Sequence, residues 1–151
     1  MLGAARERSG RKEGLLRGRL QSSLIMHILV VADEDWVLEG VEAALGEARF
    51  EISTVADPHA AVIACREGGA DVVIADLQVG SMGGMAVIRN IRSAVASGEL
   101  GPTPTVLLLD RGADAFIAGR AGADGALRKP FGAHELRSLL DGLVVPESAS
   151  S

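Results

Sequence analysis

Tyrosine is absent, tryptophan occurs once, and aromatic residues make up only 3% of the 151-residue chain. The core therefore has to be built from Val, Ile, Leu and Ala, side chains that suit short parallel strands buried on both faces. A single cysteine, Cys65, excludes an internal disulfide framework and agrees with a reducing compartment. It lies in an apolar helical pattern and reads as a small buried hydrophobe. No apolar run approaches the roughly 20 residues of a membrane span. The N-terminus lacks the long apolar run and cleavage site of a secretory signal. What is present is 48% apolar against 23% charged residues, enough for one globular core in a chain of single-domain length.

Charge is unevenly spread. Residues 1–25 carry six basic and two acidic residues, whereas the rest has a net charge of −9. The main body is thus a poor candidate for nucleic-acid binding. The basic head, Arg6 through Arg19, reads as a disordered arm or as a start codon placed too early, since Met26 directly precedes the first strand pattern. Contact of this head with nucleic acid or lipid head groups is the less favoured alternative. The expected organisation is an N-terminal extension over 1–25, one domain over 26–145 and a flexible tail over 146–151.

From His27 onward β-type and α-type patterns alternate. Strands are expected at His27–Val31, Phe50–Val55, Asp71–Ala75, Thr105–Leu109 and Gly125–Arg128. Between them lie helical patterns at Asp35–Glu47, from Asp57-Pro58 to Gly68-Gly69, after the loop Gly80–Gly84, at Ala113–Ala121 and at His134–Leu143. Asp57 and Pro58 form an N-cap and first-turn signature, and the glycine pair forms a stop. On the third helix Ile88, Ile91 and Val95 share a face. On the last, Leu136, Leu139, Leu140 and Leu143 face inward. Five βα units predict an α/β fold, a doubly wound parallel sheet with the flavodoxin-like order 2-1-3-4-5. Ligands of such sheets bind beyond the C-terminal strand ends, where the first strand meets the third.

Those strand ends carry charge. Asp33, Glu34 and Asp35 follow the first strand, Asp76 the third, Asp110 the fourth, and Lys129-Pro130-Phe131 the fifth. Carboxylates gathered in a cleft repel one another unless a cation intervenes. Oxygen ligands suit Mg2+, which keeps several waters and takes one or two carboxylates. A carboxylate beside Mg2+ and a lysine can act as a nucleophile toward a phosphoryl donor, the two cations neutralising the transferring oxygens.

The segments HILVVAD, DVVIADLQVGSMGGM and AGADGALRKPF, at their spacing, resemble the CheY-like response regulator receiver domain over residues 27–145. The resemblance implies that Asp76 is the phosphoacceptor. Asp33, matching the second acid of the usual pair, would bind Mg2+ directly, with Asp76 and the backbone carbonyl of Gln78 as further ligands. Lys129 would ion-pair with the phosphoryl group, its bond to Pro130 often being cis in the family.

There are departures. The first acid of the pair is Ala32, which removes one charge and one anchor for metal-bound water, so Mg2+ affinity should fall. Glu34 could partly compensate, but it is one residue along and could face away. The hydroxyl residue that normally ends the fourth strand corresponds to Leu109, removing a charge-assisted hydrogen bond of roughly 1.5–3 kcal/mol. The register here is open, and Asp110 at the hydroxyl position would repel a phosphate; the plainer reading of Asp110 is a solvated loop acid. Ala126 replaces the switch aromatic, and Gly80 replaces a proline, giving a looser loop. The usual coupling of the site to the far face is thus missing.

Other residues read plainly. His27, His59 and His134 are too dispersed for a metal site. Trp36 reads as core or partner surface. Gly80–Gly84 lacks the Lys-Ser/Thr ending of a P-loop. The expected function is a stand-alone receiver in two-component phosphorelay signalling, cytoplasmic, not an enzyme, with any self-phosphorylation or dephosphorylation incidental. Its expected partners are a histidine kinase or phosphotransfer protein and a downstream protein, with weak homodimerisation, no nucleic acid and no membrane. The alternative is a pseudo-receiver acting as a phosphorylation-independent interaction module. A small enzyme or nucleotide-binding flavodoxin-like protein lacks a phosphate fingerprint or a nucleophile–base pair to support it.

Overall fold

The alternating patterns become five strands and five helices in a computed structural model that describes residues 25–110 and 116–144. The strands are β1 Met26–Val31, β2 Phe50–Val55, β3 Val72–Asp76, β4 Thr105–Leu109 and β5 Gly125–Arg128. The helices are α1 Asp35–Ala44, α2 Ala61–Gly68, α3 Gly84–Ala96, α4 Phe116–Ala121 and α5 Ala133–Leu143, with a 3-10 turn Pro58–Ala60 leading into α2. All pairings are parallel, in the order β2-β1-β3-β4-β5. The expected strand order therefore holds. The basic head, the tail beyond Val144 and the start of the fourth helical pattern lie outside the described residues.

Period-two alternation divides the strand side chains between two cores. Leu29, Val31, Val73, Ala75, Leu107 and Leu109 point to one face and pack with α2, α3 and α4, where Ala61, Cys65, Ile88, Ile91 and Ala118 are buried. Ile28, Val30, Val72, Ile74, Val106 and Leu108 point to the other and meet Val37, Val41, Leu136 and Leu140 of α1 and α5. The central strands β3 and β4 are buried at every position, whereas β2 and β5 have exposed or half-buried positions, as edge strands do. Cys65 is buried as expected, and that burial pushes its thiol pKa up. Val95, Leu139 and Leu143 reach the cores only partly.

Element ends differ from the sequence reading for identifiable reasons. α1 stops at Ala44 rather than Glu47, because Leu45 closes the last turn onto the Val41 carbonyl at 3.0 Å and turns into the core. β3 begins at Val72 rather than Asp71, because Asp71 uses its side chain on the neighbouring strand. The Asp71 carboxylate accepts from the His27 N–H at 2.8 Å, and the Asp71 N–H donates to the His27 carbonyl at 2.7 Å. The same two-way clasp joins β4 to the start of β5. The Asp124 carboxylate accepts from the Thr105 N–H at 2.8 Å and the Asp124 N–H donates to the Thr105 carbonyl at 2.9 Å. Both clasps sit at the N-terminal edge of the sheet and leave the opposite edge for chemistry.

Candidate functional site

Asp76 is the last residue of β3 and pairs in register with Leu108 of β4, which places its carboxylate at the C-terminal sheet edge. It is wholly buried. One carboxylate oxygen accepts from the Lys129 ammonium, and the other, Oδ2, has no hydrogen-bond partner among the described residues. A buried acceptor without a partner carries an unmet desolvation cost of about 1–3 kcal/mol, more when charged. It is consequently a place where a cation or an electrophile gains the most.

Lys129 follows β5 directly, and its N–H donates to the Leu109 carbonyl at 2.9 Å. The bond to Pro130 is cis. Its side chain is only 3% exposed, and its ammonium bridges Asp76 and Asp110, the latter at 2.9 Å. Burial alone pulls the Lys129 pKa down, but the hydrogen bonds to Asp76 and Asp110 outweigh it, so the group is held above the ordinary lysine value. The lysine is therefore fixed as a cation between two carboxylates.

Leu109 ends β4 and is buried in the α2–α4 core. Asp110 lies just past the strand and is not the solvated loop acid expected of it. Its Oδ1 meets Lys129, and its Oδ2 accepts from the side-chain amide of Gln78. Those two hydrogen bonds, Gln78 first and Lys129 second, hold the Asp110 carboxyl below the ordinary carboxylate pKa. The sequence signal was its position, since it follows an apolar strand at the edge that carries Asp76.

The acidic pair is half present. Ala32 is fully buried in the α1–α5 core, its N–H donating to the Val55 carbonyl at 3.1 Å. Val31 pairs with Ala75, so Asp33 and Asp76 leave neighbouring strands at one edge. The Asp33 carboxylate accepts from the Gly80 N–H at 3.0 Å. Gly80 takes a left-handed φ of 53°, which glycine tolerates and the family's proline could not. Glu34 is the exposed N-cap residue of α1, and its carboxylate makes no capping bond.

Two residues matter more than their sequence reading suggested. Gly84 begins α3 so close to β3 that a Cβ there would sit 2.4 Å from the Asp76 carbonyl oxygen. The glycine loop is thus a close-approach device as well as a link. Trp36, read as core or partner surface, is 54% exposed, and its ring centroid lies 5.4 Å from the Lys129 ammonium. The three histidines stay apart. His27 meets Glu51 at 2.7 Å, His59 the Asp57 cap at 3.2 Å, and His134 the Ser138 hydroxyl at 3.4 Å.

A buried strand-end carboxylate, a buried lysine and a parallel sheet in this order define a receiver architecture. The response regulator receiver domain family matches residues 28–141, and the chain belongs to that family. Transcriptional regulatory protein TcrA of Mycobacterium tuberculosis is 34% identical over 138 residues, covering 90% of this chain and 51% of the relative. The chain spans about half the length of the curated relatives it matches. Among solved structures, the co-crystal of the Saccharomyces cerevisiae phosphotransfer protein Ypd1 with the receiver domain of Ssk1 aligns with a TM-score of 0.70 at 20% identity, over 80% of this chain and 89% of that one. The receiver domain of sensor histidine kinase PA1611 from Pseudomonas aeruginosa, solved with magnesium in its active-site cleft, aligns at 0.68 with 24% identity, over 80% and 98%. Among the described residues no helix is long and apolar enough to cross a membrane.

Proposed function

We propose that this receiver accepts a phosphoryl group on Asp76 in a two-component relay. The observation that carries this reading is the Asp76 carboxylate itself, buried, paired to Lys129 through one oxygen and unpartnered at the other. In the transfer a new O–P bond forms to Asp76 as the donor's P–N bond breaks. The leaving imidazole keeps that electron pair and takes a proton from solvent. Lys129 compensates charge on the phosphoryl oxygens.

Mg2+ fits the residues present. Among the described residues no cluster of three or more His, Cys, Asp or Glu side chains forms a metal site. Asp33 and Asp76 offer two carboxylates, the number Mg2+ takes when it keeps most of its waters. The unpartnered Oδ2 of Asp76 and the backbone carbonyl of Gln78 complete the assigned ligand set. When bound, the ion would supply positive charge to the transferring oxygens. With Ala32 in place of an acid, we expect it to bind more weakly than in receivers that have both acids. A histidine kinase or a phosphotransfer protein, of the kind Ypd1 is for Ssk1, is the proposed donor.

Intact-mass measurement after incubation with a small phosphodonor and Mg2+ tests the reading. A phosphate adduct that is labile to base and absent in Asp76→Asn supports it; no adduct at millimolar Mg2+ sinks it. The competing reading, a phosphorylation-independent interaction module, draws on Ala32, Leu109 and Ala126 and would be left standing by that result.

A further inference from the structure

The groups around Asp76 form a gradient from core to solvent. Asp76 is 0% exposed, the Lys129 side chain 3% and the Asp110 side chain 35%, and Gln78 is exposed. They are joined in that order by hydrogen bonds, Asp76 to Lys129, Lys129 to Asp110 and Asp110 to Gln78. The chain closes on itself, because Gln78 lies two residues after Asp76. In this arrangement Oδ2 of Asp76 has almost no accessible surface. The ammonium that pairs with Asp76 is thus already shared with a second carboxylate.

We propose that Asp110, held by Gln78, is a built-in competitor for Lys129 and in that way a gate on phosphorylation of Asp76, which must displace it. This rests on the reading of Asp76 as the acceptor. An ammonium has three donors, and two are already engaged by carboxylates. A phosphoryl group on Asp76 brings close to two negative charges into contact with the same ammonium. Asp110 would then face those charges within a few ångströms, in a partly desolvated place where like charges repel strongly. Lys129 turns from Asp110 to the phosphoryl oxygens. Asp110 swings outward, and its bond to Gln78 breaks. The C-terminal end of β4 therefore changes state by losing an ion pair, where a hydroxyl would have changed state by gaining a hydrogen bond. Leu109 has no hydroxyl to offer, and its side chain is buried in the core. In this scheme Asp110 and Gln78 are positioning residues, acting through Lys129.

Titration of the full chain with beryllofluoride in Mg2+, followed by 19F NMR, tests the gate. Asp110→Asn should bind the mimic about tenfold more tightly than wild type, a coupling of ordinary allosteric size. Gln78→Ala should shift affinity the same way by less. Asp141→Asn, which removes an acid paired with Arg49 on the surface, should leave it unchanged. In wild type, the 13C resonance of the Asp110 carboxyl carbon should move on saturation, a readout that needs no variant to fold. Equal or weaker binding by a folded Asp110→Asn, or a stationary Asp110 carboxyl in the saturated wild type, overturns the gate and leaves the acceptor reading intact. Failure of every variant to bind, Asp110→Asn included, removes the acceptor reading and the gate with it.

Discussion

Asp76 and Lys129 depend on each other unequally. Removing the lysine strands a carboxylate that is 0% exposed, whereas removing Asp76 leaves Lys129 with Asp110. Breaking a buried pair by deleting one partner costs about 3–5 kcal/mol. Lys129→Met should therefore lower unfolding stability by about that much in urea titrations, and Asp76→Asn by clearly less. The pair also has a pH signature. Because the folded protein holds the Lys129 proton more tightly than the unfolded chain, its contribution is complete below the ordinary lysine value of 10.5 and is lost as pH rises through the raised folded value. The stability gap between wild type and Lys129→Met should narrow in that alkaline range. Gly84 sets a second residue-scale limit. A Cβ there would meet backbone at 2.4 Å, so Gly84→Ala forces α3 away from β3. Overpacking of this kind costs about 1–3 kcal/mol, and the Gly84→Ala urea midpoint should fall by a matching amount. Asp33, Asp76 and Lys129 were legible as strand-end charges. The closeness of Gly84 to the Asp76 carbonyl was not, because its φ is unremarkable and only the packing of α3 on β3 creates the constraint.

The elements were legible where one periodicity ruled a whole segment. β2, β4 and β5 match their expected bounds, and α5 begins one residue early. The errors fall at ends, where a side chain competes with the backbone pattern. Asp71 illustrates this, since it trades a place in β3 for a carboxylate bond to the His27 N–H of β1, and Asp124, just before β5, makes the same kind of bond to Thr105. Hydrogen bonds to charged groups contribute about 1.5–3 kcal/mol. Asp124→Ala should cost roughly that in chemical denaturation, with hydrogen exchange at the Thr105 amide accelerating in step. On α5 the contrast lies between faces. Leu140 is fully buried, and Leu140→Ala should cost about 2–5 kcal/mol. Arg137, whose guanidinium reaches the Ala44 carbonyl at 3.1 Å from a half-buried position, should cost about 0.5–1.5 kcal/mol as Arg137→Ala.

At the scale of the molecule, the Mg2+ binding proposed for the acidic sheet edge would be linked to stability by mass action. A ligand that binds only the folded state adds RT ln(1 + [L]/Kd), about 1.4 kcal/mol when free ligand is ten times its Kd. Mg2+ should raise the thermal midpoint accordingly, chelator should reverse the rise, and Asp33→Asn should abolish it while leaving the metal-free midpoint almost unchanged. The strand order could be read from the sequence because five βα units admit few right-handed topologies. The wiring of Asp110 could not, because it depends on which side chains just past β3 and β5 meet at the sheet edge, and no periodicity encodes that.

The ring of Trp36 over Lys129 has a practical consequence. The chain has one tryptophan and no tyrosine, so essentially all of its near-ultraviolet emission comes from a single indole. That indole leans on the cation that any group arriving at Asp76 must engage. The protein thus carries its own optical probe, and the state of the site can be followed in real time, without a label, as a change in brightness or colour of one residue.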